Sequence, residues 1–207
     1  MKREFIGLIL AGGKARRFGG GKALSLLKGR PLVLWVKDRL APLCKEVWLS
    51  LRSPSQPELS LQKYFQGLVF DRDPGQGPLS GLLSGLKKLD QTKCLIVATC
   101  DQPLIQTPLL KHLKIIFEKR DLWGIFCVSP KGVPEPFPGI YGPELTLGLE
   151  AYLSSGKKSV RAWLQSLPPK KVLGLPYEVW YPWDKEGLSF ININYREDLE
   201  RIKKRLL

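Results

Sequence analysis

Short apolar runs that stop at glycine or aspartate alternate along this chain with segments whose apolar residues recur every three to four positions. Phe5 to Leu10 is the first run, and it ends at Ala11-Gly12-Gly13. A run of this kind suits a strand buried on both faces of a parallel sheet. From Pro31 to Leu43 the apolar positions take helical spacing, with the proline in the first turn, where its missing N–H costs nothing. Val47 to Leu51 reads as a second strand, residues 53 to 60 as a loop with a short helix, and Leu68 to Phe70 as a third strand. Pro78 to Leu89 returns to helical spacing, and Cys94 to Thr99 is the clearest strand. Thr107 is expected to cap a helix reaching Glu118, before a fifth strand from Trp123 to Val128.

Beyond this point the pattern loosens. Val133 to Tyr141 carries three prolines and reads as an extended strand or loop. Helices are expected at 144–153 and 159–167, and strands at 177–181 and 190–193. Asn194 with Glu197 three residues on has the form of a capping box opening a last helix through Leu206. Strand and helix in alternation imply right-handed βαβ units, hence an α/β class with a mostly parallel, helix-covered central sheet. One domain over 1–207 is expected, with an elaborated C-terminal portion.

Composition changes this picture in one respect. The chain carries 33 Lys and Arg against 19 Asp and Glu, a net charge of +14. From Phe5 to Lys37 there are seven basic residues and no acidic one, so the charge is focused on one Gly-rich loop. Neither a basic stripe with interleaved aromatics nor an RRM signature is visible, which favours a phosphate-bearing small molecule over nucleic acid. No stretch approaches the roughly 20 apolar residues that span a bilayer. The N-terminal run lacks the length and cleavage site of a signal peptide, so a cytosolic protein with no membrane partner is expected. The four cysteines form no C-x-x-C pair and the one histidine is His112, which leaves no zinc constellation; the cysteines read as structural thiols rather than redox groups or ligands.

The candidate chemistry begins at Leu10 to Lys22, LAGGKARRFGGGK. In an open α/β sheet, ligands bind beyond the carboxyl ends of the strands. Glycines there let backbone N–H groups approach phosphate oxygens, while Arg16 or Arg17 can fork onto phosphate and Lys22 adds a point charge. Two familiar phosphate motifs are absent. Gly21-Lys22 is followed by Ala23, not the Ser or Thr of a Walker A loop, and Leu24 stands where a dinucleotide fingerprint needs its third glycine.

Asp101 follows the clearest strand and should project over the same edge. It reads either as a turn or cap aspartate or as an oxygen ligand for Mg²⁺; the strand-end position and the upstream loop favour the cation. Asp71 is similar, with Asp73 as a competitor. Gly77-Pro78-Leu79-Ser80-Gly81 is either a plain helix start or an anion or ribose contact. Lys157-Lys158 and the basic cluster at 201–205 read as solvated faces, and Trp163, Trp180 and Trp183 as core or dimer surface.

Taken together, these residues resemble the molybdenum cofactor guanylyltransferases, within the nucleotide-diphospho-sugar-transferase-like superfamily. The family's pattern runs roughly L-A-G-G-x-S-x-R-M-G-x-D-K, against Leu10 to Lys22 here. It continues with an aspartate (Asp71), P-G-x-G-P-L-x-G (Pro74 to Gly81), C-D-x-P (Cys100 to Pro103) and a late N-x-N (Asn192-Ile193-Asn194). The resemblance covers nearly the whole chain. Departures are Ala15 for serine, Phe18 for methionine, Gly21 for aspartate, and Ser50 where relatives often have asparagine.

The resemblance implies a three-layer, Rossmann-like nucleotidyltransferase fold. It implies that Leu10, Ala11, Gly12 and Gly13 contact GTP, that Lys22 and Arg17 meet phosphates, that Asp71 helps hold the nucleoside, and that Asp101 binds Mg²⁺ and GTP. Gly77, Pro78, Leu79, Asn192 and Asn194 become candidate contacts for pterin or nucleotide. The implied reaction moves GMP from GTP onto the terminal phosphate of molybdopterin carrying molybdenum, with release of pyrophosphate. Proteins that deliver or receive the cofactor would be transient partners. The nearest rival is a cytidylyltransferase of the same superfamily, although Ala-Gly-Gly rather than Ala-Ala-Gly leans towards guanine. A rival of another class is a non-catalytic basic protein that binds nucleic acid.

Overall fold

The computed structural model describes residues 3–13, 18, 21–71 and 77–205. Strand β1 (Glu4–Leu10) is followed by a ribbon of β2 (Leu26–Leu27) and β3 (Arg30–Pro31), then α1 (Leu32–Leu40), β4 (Glu46–Leu51), β5 (Gly67–Phe70), α2 (Pro78–Lys88), β6 (Lys93–Thr99) and α3 (Thr107–Lys119). The later elements are β7 (Gly124–Val128), β8 (Pro134–Tyr141), α4 (Thr146–Ser154), α5 (Val160–Gln165), β9 (Val172–Leu175), α6 (Tyr177–Trp180) and α7 (Arg196–Arg205). Seven strands form one sheet in the order β5-β4-β1-β6-β8-β7-β9. The pairs β5–β4, β4–β1, β1–β6 and β7–β9 are parallel; β8 runs antiparallel to both its neighbours.

Alternation along the strands sorts the core into two layers, because successive side chains point to opposite faces. Phe5 and Ile9 of β1, Val47, Leu49 and Leu51 of β4, and Cys94, Ile96 and Ala98 of β6 pack on α1 and α3. Ile6, Leu8 and Leu10, Trp48, and Leu95 and Val97 face the other way, onto α2, α4 and α5. Both faces are therefore covered, giving three layers and accounting for the unbroken apolar runs. A smaller cluster of Phe18, Leu27, Leu32, Leu104, Ile193, Leu199 and Ile202 clamps α7 onto the ribbon. Among the described residues no helix is long and apolar enough to cross a membrane, and all four cysteines are free.

The first strands and helices fall where the pattern puts them, and the stretch from 133 to 141 resolves as strand β8. The differences lie mostly at ends. Pro31 precedes α1 rather than opening it, and a 3-10 turn covers 41–43. Thr107 is the first residue of α3, not its cap, and its hydroxyl donates to the Arg39 carbonyl at 3.2 Å. At α7 the backbone N–H groups of Asn194 and Tyr195 donate to Asp198 Oδ2, both at 2.9 Å, in place of the expected bond to Glu197.

Two expected strands are not strands. Residues 177–180 form the helix α6, and 188–190 a 3-10 turn. The strand at this edge is β9, and Pro176, which follows it, has no N–H to extend a ladder. Gly174 is needed in β9, since a Cβ there would lie 2.9 Å from Val128 and 3.1 Å from the Phe126 ring.

Candidate active site

The parallel strands β5, β4, β1 and β6 finish at one edge, and the chain crosses over on either side of β1. Such a switch point leaves a crevice beyond the strand ends. Three backbone bonds stitch its floor: Ala11 N–H to Ser50 O (2.8 Å), Cys100 N–H to Leu10 O (3.1 Å) and Asp71 N–H to Leu51 O (2.9 Å). The cavity above holds about 400 Å³. That lies within the range of small-ligand sites, roughly 300 to 1,000 Å³.

Lys22 and Asp101 meet at the β6 end of the cavity. Lys22 Nζ donates to Asp101 Oδ2 at 2.8 Å and to Asn194 Oδ1 at 3.2 Å. Both side chains of the ion pair are largely buried, 14% and 15% exposed. The Thr99 hydroxyl donates to the other carboxylate oxygen, and Ile193 N–H donates to the Asp101 carbonyl at 2.9 Å. Asp101 is thus held from three sides before any ligand arrives. Lys22 is placed by a 3-10 turn over 22–24, which starts from Gly21 at a φ of 59°, left-handed backbone that suits glycine.

Asp71 occupies the opposite wall. Its carboxylate is wedged between two glycines: a Cβ on Gly12 would lie 3.2 Å from Oδ2, and one on Gly81 3.3 Å from Oδ1. The Gly81 Cβ would also come within 2.6 Å of Ser50 Oγ and 2.9 Å of Leu10. Glycine at both positions therefore makes room for the carboxylate. Among the described residues Oδ1 is buried without a hydrogen-bond partner. Desolvation pushes the carboxyl up to about 6, only partly offset by the Arg52 guanidinium. An unpaired buried acceptor of this kind is costly unless a ligand completes it.

The N-terminus of α2 closes the rim. Gly77, at a φ of 75°, turns the chain into the helix, and Pro78 follows in the first turn. Among the described residues, nothing lies within 4 Å of where a Cβ on Gly13 would be.

Of the residues singled out by sequence, Leu10, Ala11, Gly12, Gly13, Lys22, Asp71, Gly77, Pro78 and Asp101 line this one cavity. Asn194 touches Lys22, while Asn192 lines a neighbouring cavity. Leu79 points into the core, fully buried, away from both. Arg17, with Arg16 and the segment 74–76, lies outside the described residues.

Sequence reasoning passed over Arg52, Glu58, Thr99 and Cys100, which also line the cavity. Arg52 and Thr99 stand at strand ends, a position rule that would have found them. Glu58 gives no such signal. It sits in a 3-10 stretch after β4, buried, where Gln56 Nε2 donates to it and to the Ala11 carbonyl, both at 3.3 Å.

The Asp101 donor set suits Mg²⁺, which is commonly bound by one or two carboxylates and otherwise by substrate phosphates and water. Among the described residues no group of three or more His, Cys, Asp or Glu gathers to hold a metal by protein ligands alone. A strand-end carboxylate and lysine thus share this cavity with a second carboxylate, an arrangement that suits nucleotidyl transfer. The chain belongs to the family of MobA-like NTP transferase domains, whose profile matches residues 7–172.

A molybdenum cofactor guanylyltransferase from Cereibacter sphaeroides is 33% identical, covering 98% of this chain and 97% of its own. A probable molybdenum cofactor guanylyltransferase from Synechococcus elongatus is 31% identical over 79% of this chain and 85% of its own. The crystal structure of molybdopterin-guanine dinucleotide biosynthesis protein A from Archaeoglobus fulgidus superposes with a TM-score of 0.82. It is 27% identical and covers 97% of this chain and 98% of its own.

Proposed function

We propose that this protein transfers GMP from GTP to the terminal phosphate of molybdopterin carrying molybdenum, forming molybdopterin guanine dinucleotide and pyrophosphate. The observation that carries the guanine assignment is the Asp71 carboxylate in the cavity wall, whose Oδ1 has no hydrogen-bond partner among the described residues. Guanine presents its N1–H and 2-amino group as two parallel donors, which a carboxylate accepts together. Cytosine offers only one donor group, its 4-amino. The names of the relatives support the same nucleotide and the same acceptor.

In this reading GTP lies with its base towards Asp71 and its phosphates towards Lys22 and Gly13. An oxygen of the acceptor phosphate forms a bond to the α-phosphorus as the bond to the β-phosphate oxygen breaks. Lys22 holds the charge on the departing pyrophosphate, and the Thr99 and Ile193 contacts keep Asp101 in place. Asp101 would hold Mg²⁺, whose charge would neutralise the triphosphate oxygens there. No general base is required, because a phosphate nucleophile is already ionised near neutral pH, its second pKa being about 6. Positioning and charge neutralisation are therefore the main tasks, as in phosphoryl transfer generally. We place the protein in the cytosol, where its four free cysteines stay reduced.

The test is pyrophosphate release with purified acceptor, comparing GTP with CTP, with and without Mg²⁺. Release that needs both GTP and Mg²⁺ is expected. Turnover of CTP with none of GTP would overturn the guanine assignment.

A further inference from the structure

A second cavity of about 380 Å³ adjoins the first and shares Pro78 and Thr99 with it. Gln102, Glu135, Phe137, Arg161 and Asn192 form much of the rest of its wall. If GTP fills the first cavity, the second, which meets it at Pro78 and Thr99, is the adjoining space open to an acceptor.

The wall is shaped by a break in the sheet. Pairing between β7 and β8 jumps from Phe126–Gly139 to Cys127–Glu135, so residues 136–138 bow out of register. Bulges of this kind re-aim side chains and are frequent beside active sites. This one is held from both sides. The Tyr141 hydroxyl donates to the Pro136 carbonyl at 2.6 Å, and Gln102 Nε2 donates to the Phe137 carbonyl at 2.8 Å. Arg161 Nε donates to the Pro134 carbonyl at 3.1 Å, fixing the strand where it enters the bulge.

Glu135 is left half-buried in the cavity wall, and among the described residues its carboxylate accepts no hydrogen bond and forms no ion pair. Desolvation raises its pKa, against a weaker opposing effect of Arg161. A carboxylate that has lost part of its water and gained no donor is placed to accept donors from a ligand.

We propose that Glu135 recognises the 2-amino-4-oxopyrimidine edge of a pterin acceptor. This rests on the reading above that the acceptor is a pterin phosphate. The pterin 2-amino and N3–H groups form a parallel pair of donors that fits two carboxylate oxygens as a guanidinium does. Phe137, almost fully buried, is part of the same wall.

The experiment uses 6-hydroxymethylpterin, which has no phosphate and cannot react, and 6-hydroxymethyllumazine, in which an oxo group replaces the 2-amino. Binding to the GTP-loaded protein is followed by the fluorescence of each ring. The parent should prefer the pterin by about tenfold or more, the worth of a charge-assisted hydrogen bond. Glu135→Gln, nearly the same in volume, should bring the two rings to within about twofold. A GTP affinity unchanged in that variant certifies its fold. An undiminished pterin preference in Glu135→Gln would overturn the proposal, as would a parent that binds neither ring. Pterin preference that depends on Glu135 in a protein that binds CTP instead of GTP would sink the guanine assignment alone.

Discussion

The two halves of the sheet make their cavities by different means. From β5 to β6 every strand runs the same way, so the carboxyl ends collect at one edge. Leu10, Ser50, Asp71 and Thr99 arrive together there by topology alone, and glycines clear the space between them. In the half from β8 to β9 the strand directions alternate at β8, so no such convergence exists. A cavity wall appears there only because residues 136–138 bow out of register and are held by Tyr141 and Gln102. A parallel sheet supplies a site wherever its topology switches; an antiparallel one has to depart from regularity to do so.

If the first half carries the nucleotide chemistry, its strand-end residues should fail in distinct ways. The largest effect is expected for Asp101→Ala, which should reduce turnover by about a thousandfold or more, the upper end for removing one preorganised electrostatic group. The variant should still fold, with the parent's far-UV circular dichroism, although loss of the buried Lys22 partner lowers its melting temperature; product formation at the parental rate would refute the role. Lys22→Ala should weaken GTP binding by about 10- to 100-fold, the worth of a hydrogen bond to a charged group. Guanosine, which has no phosphate, should bind the Lys22 variant as it binds the parent, and calorimetry or NMR titration distinguishes the two outcomes.

Asp71→Asn should cost guanosine about tenfold in affinity. The parent's affinity for guanosine should fall as pH drops below about 6, where the Asp71 carboxyl takes up its proton, and the variant should show no such fall. Stability follows the opposite sign. A carboxyl raised from 3.8 to about 6 by burial favours the folded state when protonated, and that contribution is lost as pH rises through this window. The variant should therefore gain in melting temperature relative to the parent between those values. The smallest effect belongs to the other half: Ile125→Val in β7 should cost about 1 kcal/mol in denaturant unfolding, with GTP affinity unchanged.

The parallel half was legible in the sequence because its signals are local. A strand buried on both faces must be a continuous apolar run, and its end is marked by glycine or aspartate where the chain leaves the sheet. That pattern alone puts Asp71, Asp101 and the start of the loop at one edge. The C-terminal half resisted for physical reasons. Residues 177–180 are too few to separate a period of 2 from one of 3.6, and β9 hides between prolines and carries a glycine. Arg52 and Glu58 enter the cavity from a stretch that reads only as loop. Glu135 owes its position to a register shift, which depends on two strands at once and leaves no trace in either alone.

Gln102 bonds to residues of both cavity walls. Its buried side chain accepts from Thr99 N–H at 3.1 Å beside the first cavity and donates to the Phe137 carbonyl beside the second. One amide thus spans the seam between the parallel and antiparallel halves. If a nucleotide orders Thr99, Gln102 is placed to pass that order to the wall of the second cavity. Linkage of this kind is reciprocal: whatever factor GTP adds to the affinity for the acceptor, the acceptor must return to GTP. Two ligands bound side by side here would be coupled through Gln102 as well as through the Pro78 and Thr99 that both cavities share.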